Sequence, residues 1–568
     1  MSSLNLFDPN DRSTVGQPVV GPGGATSSSN PFATAAALET YAHGGNAIDA
    51  AIAASLTLNV AEPGSSTLAG QAHITFRDGK TGKYYYLDTF AIAPGAARED
   101  MFQWIESPTQ GGYRFYCVGN KNDTGHLAIA VPAVLHGLWR MHSIAGHLPW
   151  SRLVRPAIAL ARHGFVVDGR MADAIKGAWD RISKYPETRR IFGRPDGSPL
   201  QAGDALVQPE LAETLEIVAA KGVDGFYSGP VADAIINEIQ SNGGIMTHED
   251  LHATDRLLCQ RDPIVGNYRG FDVVTANLST AGGVLLVEML NVLEGFEMGP
   301  KAHVASMRSR LNPEPNHVII EAMKIAFADR SQSIGDPAYV KVDLGRLLSK
   351  EYAAARRAEM SGVSHLKPNR DIPESSDTTH HSHVDDLGNI VAVTQSVGDA
   401  FGSAVVIPGT GILMNNIMKI LDPRPGHLNS IAPYKKPLST MTPTLLVKDG
   451  VPYMAVGSPS GTRIVNAVLQ TLVNVIDFEM PLQAAVEFPR LHWSGDELEV
   501  EGQFGTAMAE SLRAMGHDPI MKKPWDAWFG TMMAVGQLGD TGKSAARVIA
   551  VGDPRRKAVP GVIARRKA

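Results

Sequence analysis

The sequence predicts an α+β fold of layered sheets and helices, and three observations point to it. Strand-like and helix-like segments come in blocks rather than in strict alternation, which disfavours a Rossmann or TIM arrangement. Of the 568 residues, 44% are hydrophobic and 19% charged, so the chain can bury a sizeable core and no large part of it is disordered by composition. No unit of roughly 20 to 50 residues repeats, which sets solenoids and propellers aside. At roughly 150 residues per domain, length alone would suggest about four domains.

The elements follow in order. Residues 1–30 are rich in Gly, Pro and Ser and read as an extended arm or first strand around Pro18-Val-Val-Gly-Pro22. Asn30 followed by Pro31 is an N-cap with proline at the first helical position, so Phe32 to Ala42 is a helix, closed by Gly44-Gly45. An Ala-rich helix from Asn46 to about Leu58 comes next, and its small side chains suit close packing. Ala72 to Phe76 and Tyr84 to Leu87 read as strands around the turn Asp78-Gly-Lys-Thr-Gly82. Helical patterns cover Leu135 to Ala161, Pro209 to Ala220, Pro230 to Ser241, Val284 to Phe296 and Pro315 to Ala328. Leu366 to Asp377 is polar, holds two prolines and lacks periodicity, the pattern of an exposed flexible segment. Beyond it, strands are expected through His381 and His383, at Ile390 to Gln395, Leu445 to Val447 and Met454 to Val456, with a helix at Arg463 to Ile476.

Composition excludes several function classes. Lys plus Arg total 52 against 58 Asp plus Glu, so a net charge of −6 offers no footprint for nucleic acid or an anionic membrane. Cys117 and Cys259 are the only cysteines, too few for a disulfide framework and outside any zinc-ligand spacing. The opening Met1-Ser-Ser-Leu-Asn-Leu-Phe-Asp-Pro lacks the basic and apolar regions of a signal peptide. The run Ala47 to Ala61 carries Asp49 and is shorter than the roughly 18 uncharged residues of a spanning helix. A soluble, cytoplasmic protein is expected.

Two features carry chemistry. Asp377-Thr378-Thr379-His380 stands where the polar segment meets a strand. A threonine hydroxyl needs an adjacent base, and cleavage before Thr378 would supply one as its own α-amino group. Gly457-Ser-Pro-Ser-Gly-Thr-Arg463 lies between a strand and a helix, where successive backbone N–H groups can converge on an oxyanion. Other motifs have plainer readings. His380, His381 and His383 with Asp385 and Asp386 suggest a metal cluster, yet on a strand His381 and His383 share a face that His380 does not. Gly44-Gly45 and Gly282-Gly283 lack the context of a nucleotide loop, and Gly457 to Gly461 has Pro459 where a nucleophile elbow needs serine. The methionines and most aromatics are core.

Taken together, the motifs resemble the gamma-glutamyltransferase family of N-terminal-nucleophile hydrolases. Thr378 to Thr394 is similar to the start of its small subunit, and Gly411 to Asn416, Lys436 to Thr444 and Gly457 to Arg463 follow in the family's order. Gly44 to Ala53, Ala130 to Pro132, Leu148 to Trp150, Gly282-Gly283 and Glu321 to Arg330 look like its large subunit. The resemblance runs from about residue 20 to 560. It implies a four-layer αββα sandwich made as one precursor and cut between Asp377 and Thr378, the segments 1–377 and 378–568 staying together as one folded unit. It also implies an acyl-enzyme on Thr378, with Ser396 where the family has a threonine bonded to the nucleophile. The amides of Ser460 and Gly461 match the oxyanion pair, and Ser439 and Thr440 match a hydroxyl pair near the substrate carboxylate. No cofactor or metal is implied, the expected partner is a small-molecule amide, and a homodimer of the processed unit is compatible.

The departures from the family pattern bear on the substrate. Members that bind a γ-glutamyl group hold its α-carboxylate with an arginine just before a motif ending Ala-Pro; here Phe90 takes that place in Leu87-Asp-Thr-Phe-Ala-Ile-Ala-Pro94. The family's amino-group ligands fall on Ile417, Ile420 and Gly398. Uncompensated ions in an apolar pocket cost about several kcal/mol each. The expected function is therefore a self-processing amidohydrolase for a non-glutamyl amide, as in cephalosporin-type acylases and oxamate amidohydrolase within the family. A γ-glutamyltransferase or glutathione hydrolase, and an uncleaved, catalytically silent binding relative, are the alternatives.

Overall fold

The computed structural model describes residues 17–106, 115–299, 308–364, 377–495, 497–538, 547–556 and 558–563. The expected flexible segment from Leu366 up to Asp377 lies outside them. Two seven-stranded sheets, antiparallel throughout, form the centre. One runs Val19–Gly21, Arg547–Gly552, Met533–Leu538, Val451–Gly457, Thr444–Lys448, Phe271–Thr275, Ile264–Tyr268. The other runs Val559–Val562, Ala25–Ser28, Asp377–Val384, Ile390–Gly398, Gln71–Arg77, Tyr84–Thr89, Cys259–Arg261.

Alternation along the strands builds the layers. Val274, Leu445, Val447, Ala455 and Val535 of the first sheet meet Ala25, Val384, Ile390 and Ala392 of the second in one apolar cluster. Their neighbours along the strands point the other way. Val273, Leu446, Met454 and Val456 pack on the helices Gly282–Leu293, Pro313–Ser333 and Arg463–Ile476, while Ile74, Val391 and Val393 pack on Ala47–Ala61. Helix, sheet, sheet and helix thus stack as the expected four αββα layers. Each sheet draws strands from both sides of residue 377, so the two segments are interleaved through the backbone ladders.

Local signals account for the helices at the front of the chain. Asn30 Oδ1 accepts from the Phe32 amide at 3.0 Å to start Pro31–Ala42, and Asn46 with Asp49 closes a reciprocal capping box on Ala47–Ala61. The helical pattern expected from Leu135 to Ala161 is realised as two helices, Val134–Ala145 and Trp150–His163. Gly146 and Pro149 break it, since neither favours a helix interior although the apolar period continues across them. Among the described residues, no helix is long and apolar enough to cross a membrane.

Buried histidines are frequent in these layers, and burial holds them neutral. His73 and His136 are pushed down to about 4, and His381 and His517 to about 3. A folded-state value below the unfolded one near 6.5 gives stability that is complete above pH 6.5 and is lost as pH falls towards 4 and then 3. Each such group contributes about 1.4 kcal/mol per pH unit within its window. The thermal midpoint should therefore fall by several degrees between pH 7 and pH 5; a midpoint that stays level over that range in calorimetry would contradict this.

Candidate active site

Thr378 is the second residue of the strand Asp377–Val384 and only 2% exposed. Because Val384 faces the inter-sheet core, Ser382, His380 and Thr378 share that face. The ladder slips at the site: Asp377 opposes Gly398 and Thr379 opposes Gln395, so Ser396 and Val397 together stand across from Thr378. Such a bulge re-aims side chains and terminates pairing. Gly398 has φ +105°, and a Cβ there would lie 2.0 Å from Asn416 Oδ1, which accepts from the Asp399 amide. That approach, rather than ligand chemistry, accounts for glycine at this position.

The uncut peptide bond is held on both sides. Ser396, expected to bond the nucleophile, donates its hydroxyl to the carbonyl oxygen of Asp377 at 2.6 Å. The Asp377 carboxylate accepts from the Ala400 amide at 3.0 Å. A hydroxyl therefore sits on the carbonyl that precedes the threonine.

The loop from Gly457 to Arg463 connects the first sheet to the helix Arg463–Ile476. Ser460 and Gly461 both have positive φ, +97° and +58°, and their carbonyls accept from the amides of Arg463 and Ile464. Consecutive residues of this kind turn their N–H groups into an anion-binding concavity. A serine at φ +97° is strained by about 1–3 kcal/mol. Thr440 Oγ1 donates to the Gly461 carbonyl at 2.9 Å, tying the loop to the Ser439-Thr440 pair.

One pocket gathers most of the expected residues. Phe90, Thr378, Ile420, Ser439, Thr440 and Gly461 line it together with Leu438, Met441 and Ile464. Phe90, Ile417, Ile420, Met441 and Ile464 belong to a single apolar cluster, with Ile417 behind the lining rather than in it. Gly398 and Ser396 stand at the bulge, and Ser460 in the loop beside Gly461.

Charge lies behind this wall. Lys436 Nζ pairs with Asp88 at 2.9 Å and also donates to the Asp88 carbonyl, while Asp88 accepts from the amides of Phe90 and Ser279. Burial pushes the Asp88 carboxyl up, but Lys436, His73 and the Phe90 amide together outweigh it and the result is about 2. The His73 ring stacks on Phe90 with centroids 5.1 Å apart, and burial holds it neutral. The pocket therefore meets a neutral aromatic face.

Arg556 is a site residue the sequence reading missed. Its guanidinium donates to Ser460 Oγ at 3.0 Å. Burial lowers its affinity for its proton to about 10 and Asp377 and Glu62 oppose that, so it remains a cation at neutral pH. The neighbouring Arg555 belongs to a buried quartet, pairing with Glu501 at 2.6 Å and Asp553 at 3.1 Å while Arg490 pairs with Asp553 at 2.7 Å. That quartet fixes the backbone from which Arg556 reaches the loop.

The histidine cluster behaves as its strand parity predicts. His381 bonds His383 at 2.8 Å and Ser55 at 2.9 Å on the helix side, while His380 bonds Thr394 and Ser382 between the sheets. His317, Glu321 and His517 come together elsewhere within metal-ligand distance of one another. There Lys324 Nζ already lies 3.1 Å from both Glu321 and His517, so a divalent cation would have to displace an ammonium.

A family model described as Gamma-glutamyltranspeptidase matches residues 33–563. The chain belongs to the gamma-glutamyltranspeptidase family. It is accordingly a self-processing enzyme that hydrolyses amides or transfers their acyl groups. Within the family, it is 37% identical over 508 residues to the Acylase ACY 1 proenzyme of Pseudomonas sp. (strain SE83), covering 89% of this chain and 88% of that one. It is 36% identical to the Glutathione hydrolase proenzyme of Escherichia coli (strain K12), covering 90% and 88%. The structure of cephalosporin acylase from Bacillus halodurans superposes with a TM-score of 0.84 at 28% identity, covering 98% of this chain and 99% of that one.

Two outcomes test the geometry. Ser396→Ala should slow appearance of the two fragments about a hundredfold, the usual effect of removing one oxyanion donor, and Ser396→Thr should restore most of the rate, both read by denaturing electrophoresis over time. Ser460→Gly should raise the unfolding midpoint by relieving its positive φ while keeping the N–H, and so keep hydrolysis; a loss of activity with unchanged folding would show that the hydroxyl on Arg556 matters more than the amide.

Proposed function

We propose that this protein cuts its own chain between Asp377 and Thr378 and then hydrolyses an amide whose acyl group lacks the α-ammonium and α-carboxylate of a glutamyl unit. In the first reaction Thr378 Oγ1 adds to the Asp377 carbonyl carbon and the C–N bond breaks, moving the acyl group from nitrogen to oxygen. Water then hydrolyses the ester, leaving segments of 377 and 191 residues. The Ser396 hydroxyl stands on the carbonyl oxygen that gains charge in this step.

The cut leaves an α-amino group on Thr378, which serves as base for the second reaction. Thr378 attacks the substrate carbonyl, the amides of Ser460 and Gly461 stabilise the oxyanion, and the amine departs with the proton. Water then releases the acid and regenerates the hydroxyl. Ser439 and Thr440 supply hydroxyls beside the nucleophile.

The acyl group is read from one observation: Phe90 and Ile420 share a pocket with Thr378, within an apolar cluster. An ammonium or carboxylate brought there would meet no charged side chain among the described residues that line the pocket, at a cost of at least about 3 kcal/mol, more than a hundredfold in rate. The similarity to an acylase proenzyme and to a cephalosporin acylase supports the same side, although a glutathione hydrolase proenzyme is nearly as similar in sequence.

A panel of 4-nitroanilides with and without α-amino groups tests it. The best simple acyl anilide should exceed γ-glutamyl 4-nitroanilide in kcat/KM by at least about a hundredfold, and Phe90→Arg should narrow that gap; comparable turnover of the two would defeat the proposal. Thr378→Ala should remain one chain of 568 residues in mass spectrometry and turn over no amide.

A further inference from the structure

Gln71 opens the strand Gln71–Arg77, is fully buried, and stands directly opposite Ser396 in the ladder with Ile390–Gly398. Strand parity puts the two side chains on one face. Ala72, Ile74 and Phe76 pack on the helix side, so Gln71 points between the sheets, and Ser396 does so because Ile390 and Ala392 do. The backbones approach closely here, since a Cβ on Gly70 would lie 2.6 Å from the Ser396 carbonyl oxygen. Directly opposed residues of such a pair have Cβ atoms about 5 Å apart, a gap that a glutamine side chain spans.

The two ends of the Gln71 amide are told apart by what one of them meets. Oε1 accepts from the Ala91 amide at 3.2 Å. A backbone N–H can only donate, so the oxygen faces Ala91 and the NH2 group is turned away from it. That group, Nε2, has no hydrogen-bond partner among the described residues. A buried donor left unpaired costs about 1–3 kcal/mol, so this one opposes the folding of the uncut chain. Across the ladder the Ser396 hydroxyl is engaged, donating to the Asp377 carbonyl at 2.6 Å and accepting from the Gly398 amide at 3.0 Å.

We propose that Gln71 is a catalytic residue of self-cleavage, its Nε2 giving the oxyanion on Asp377 a second hydrogen bond beside that of Ser396. The proposal rests on the reading above, that the chain is cut before Thr378. When Thr378 Oγ1 bonds to the Asp377 carbonyl carbon, the π pair of the C=O moves to oxygen. The planar carbon becomes tetrahedral, which swings that oxygen out of the peptide plane. The pair returns as the C–N bond breaks, and the Thr378 nitrogen takes the proton that the hydroxyl gave up. A donor with no bond in the planar ground state and one in the transition state lowers the barrier by the whole of that bond. Ser396 differs, because it already holds the ground-state carbonyl.

The full chain made by cell-free synthesis tests this, with the two fragments followed over time by denaturing electrophoresis. Gln71→Met keeps the bulk without the N–H and should cut about a hundredfold more slowly. Gln71→Glu separates the donor from a packing role at about pH 9, where its carboxyl is ionised. It keeps an oxygen for Ala91 but offers no N–H and sets a negative charge beside the oxyanion, so it should cut more slowly than Gln71→Met. Cleavage of either variant at the wild-type rate, or Gln71→Glu cutting faster than Gln71→Met, would overturn the proposal. Where Gln71→Met fails to fold, Gln71→Glu against the wild type decides. Failure of the underlying reading shows itself separately, as a wild-type small fragment whose mass does not place its first residue at Thr378.

Discussion

The contact on which the site depends is the approach of the two sheets at Gly457 and His380. A Cβ on Gly457 would lie 2.2 Å from the His380 ring, so only glycine lets the strand Val451–Gly457 come this close to the strand Asp377–Val384. His380 stands two residues from Thr378 on the same face, and the next four residues after Gly457 are the loop with Ser460 and Gly461. The nucleophile and the candidate oxyanion amides are thereby carried on opposite sheets yet spaced by one ring. That ring is itself fixed, with one nitrogen on Thr394 and the other on Ser382, and burial keeps it far below the ordinary histidine range. A neutral, doubly bonded spacer does not change size with pH in the working range.

Around this contact the charges are paired and set back. The Arg490, Arg555, Glu501 and Asp553 quartet lies on one side, and Asp88 with Lys436 behind Phe90 on the other. Breaking such buried pairs costs about 3–5 kcal/mol, whereas their net worth against apolar replacements is small, so their value here is positional. Asp88 takes the Phe90 amide and so fixes the wall of the pocket; Arg555 fixes the neighbour that touches Ser460. The pocket floor stays apolar because the charges nearest to it are satisfied away from it.

How much of this was legible follows from how far apart the partners lie. The caps at Asn30 and Asn46 and the breaks between strands are local, and residues within a few positions of one another announce them. The αββα layering and the roles of Thr378, Phe90 and Ile420 rested on resemblance, and the pocket brings these three together. Ile417 and Gly398 were read in the same way; one packs behind the lining and the other answers to Asn416. Arg556 and Lys436 were missed because their partners lie 96 and 348 residues away, and nothing in a local pattern pairs Arg556 with Ser460 or Lys436 with Asp88. The His317 and His517 contact, 200 residues apart, was hidden for the same reason. The helical pattern after Leu135 divides in two for a local reason, two helix breakers within an apolar period that runs across them.

The uncut chain is its own first substrate, and it differs from the later one in a telling way. The Asp377 acyl group ends in a carboxylate that the Ala400 amide holds and that lies in the field of Arg556, not in the apolar pocket. Self-cleavage and amide hydrolysis would thus share the nucleophile while placing their acyl groups in different surroundings. On the proposed cleavage, a residue that lines only the apolar pocket, such as Phe90, would be free to vary without harming maturation, whereas position 396, on the Asp377 carbonyl, would need to keep its hydroxyl. This separation would give a physical route by which one processing machine can serve enzymes that accept different acyl groups: Asp377 does not line the pocket, so its wall could change without touching the acyl group of the proposed first reaction.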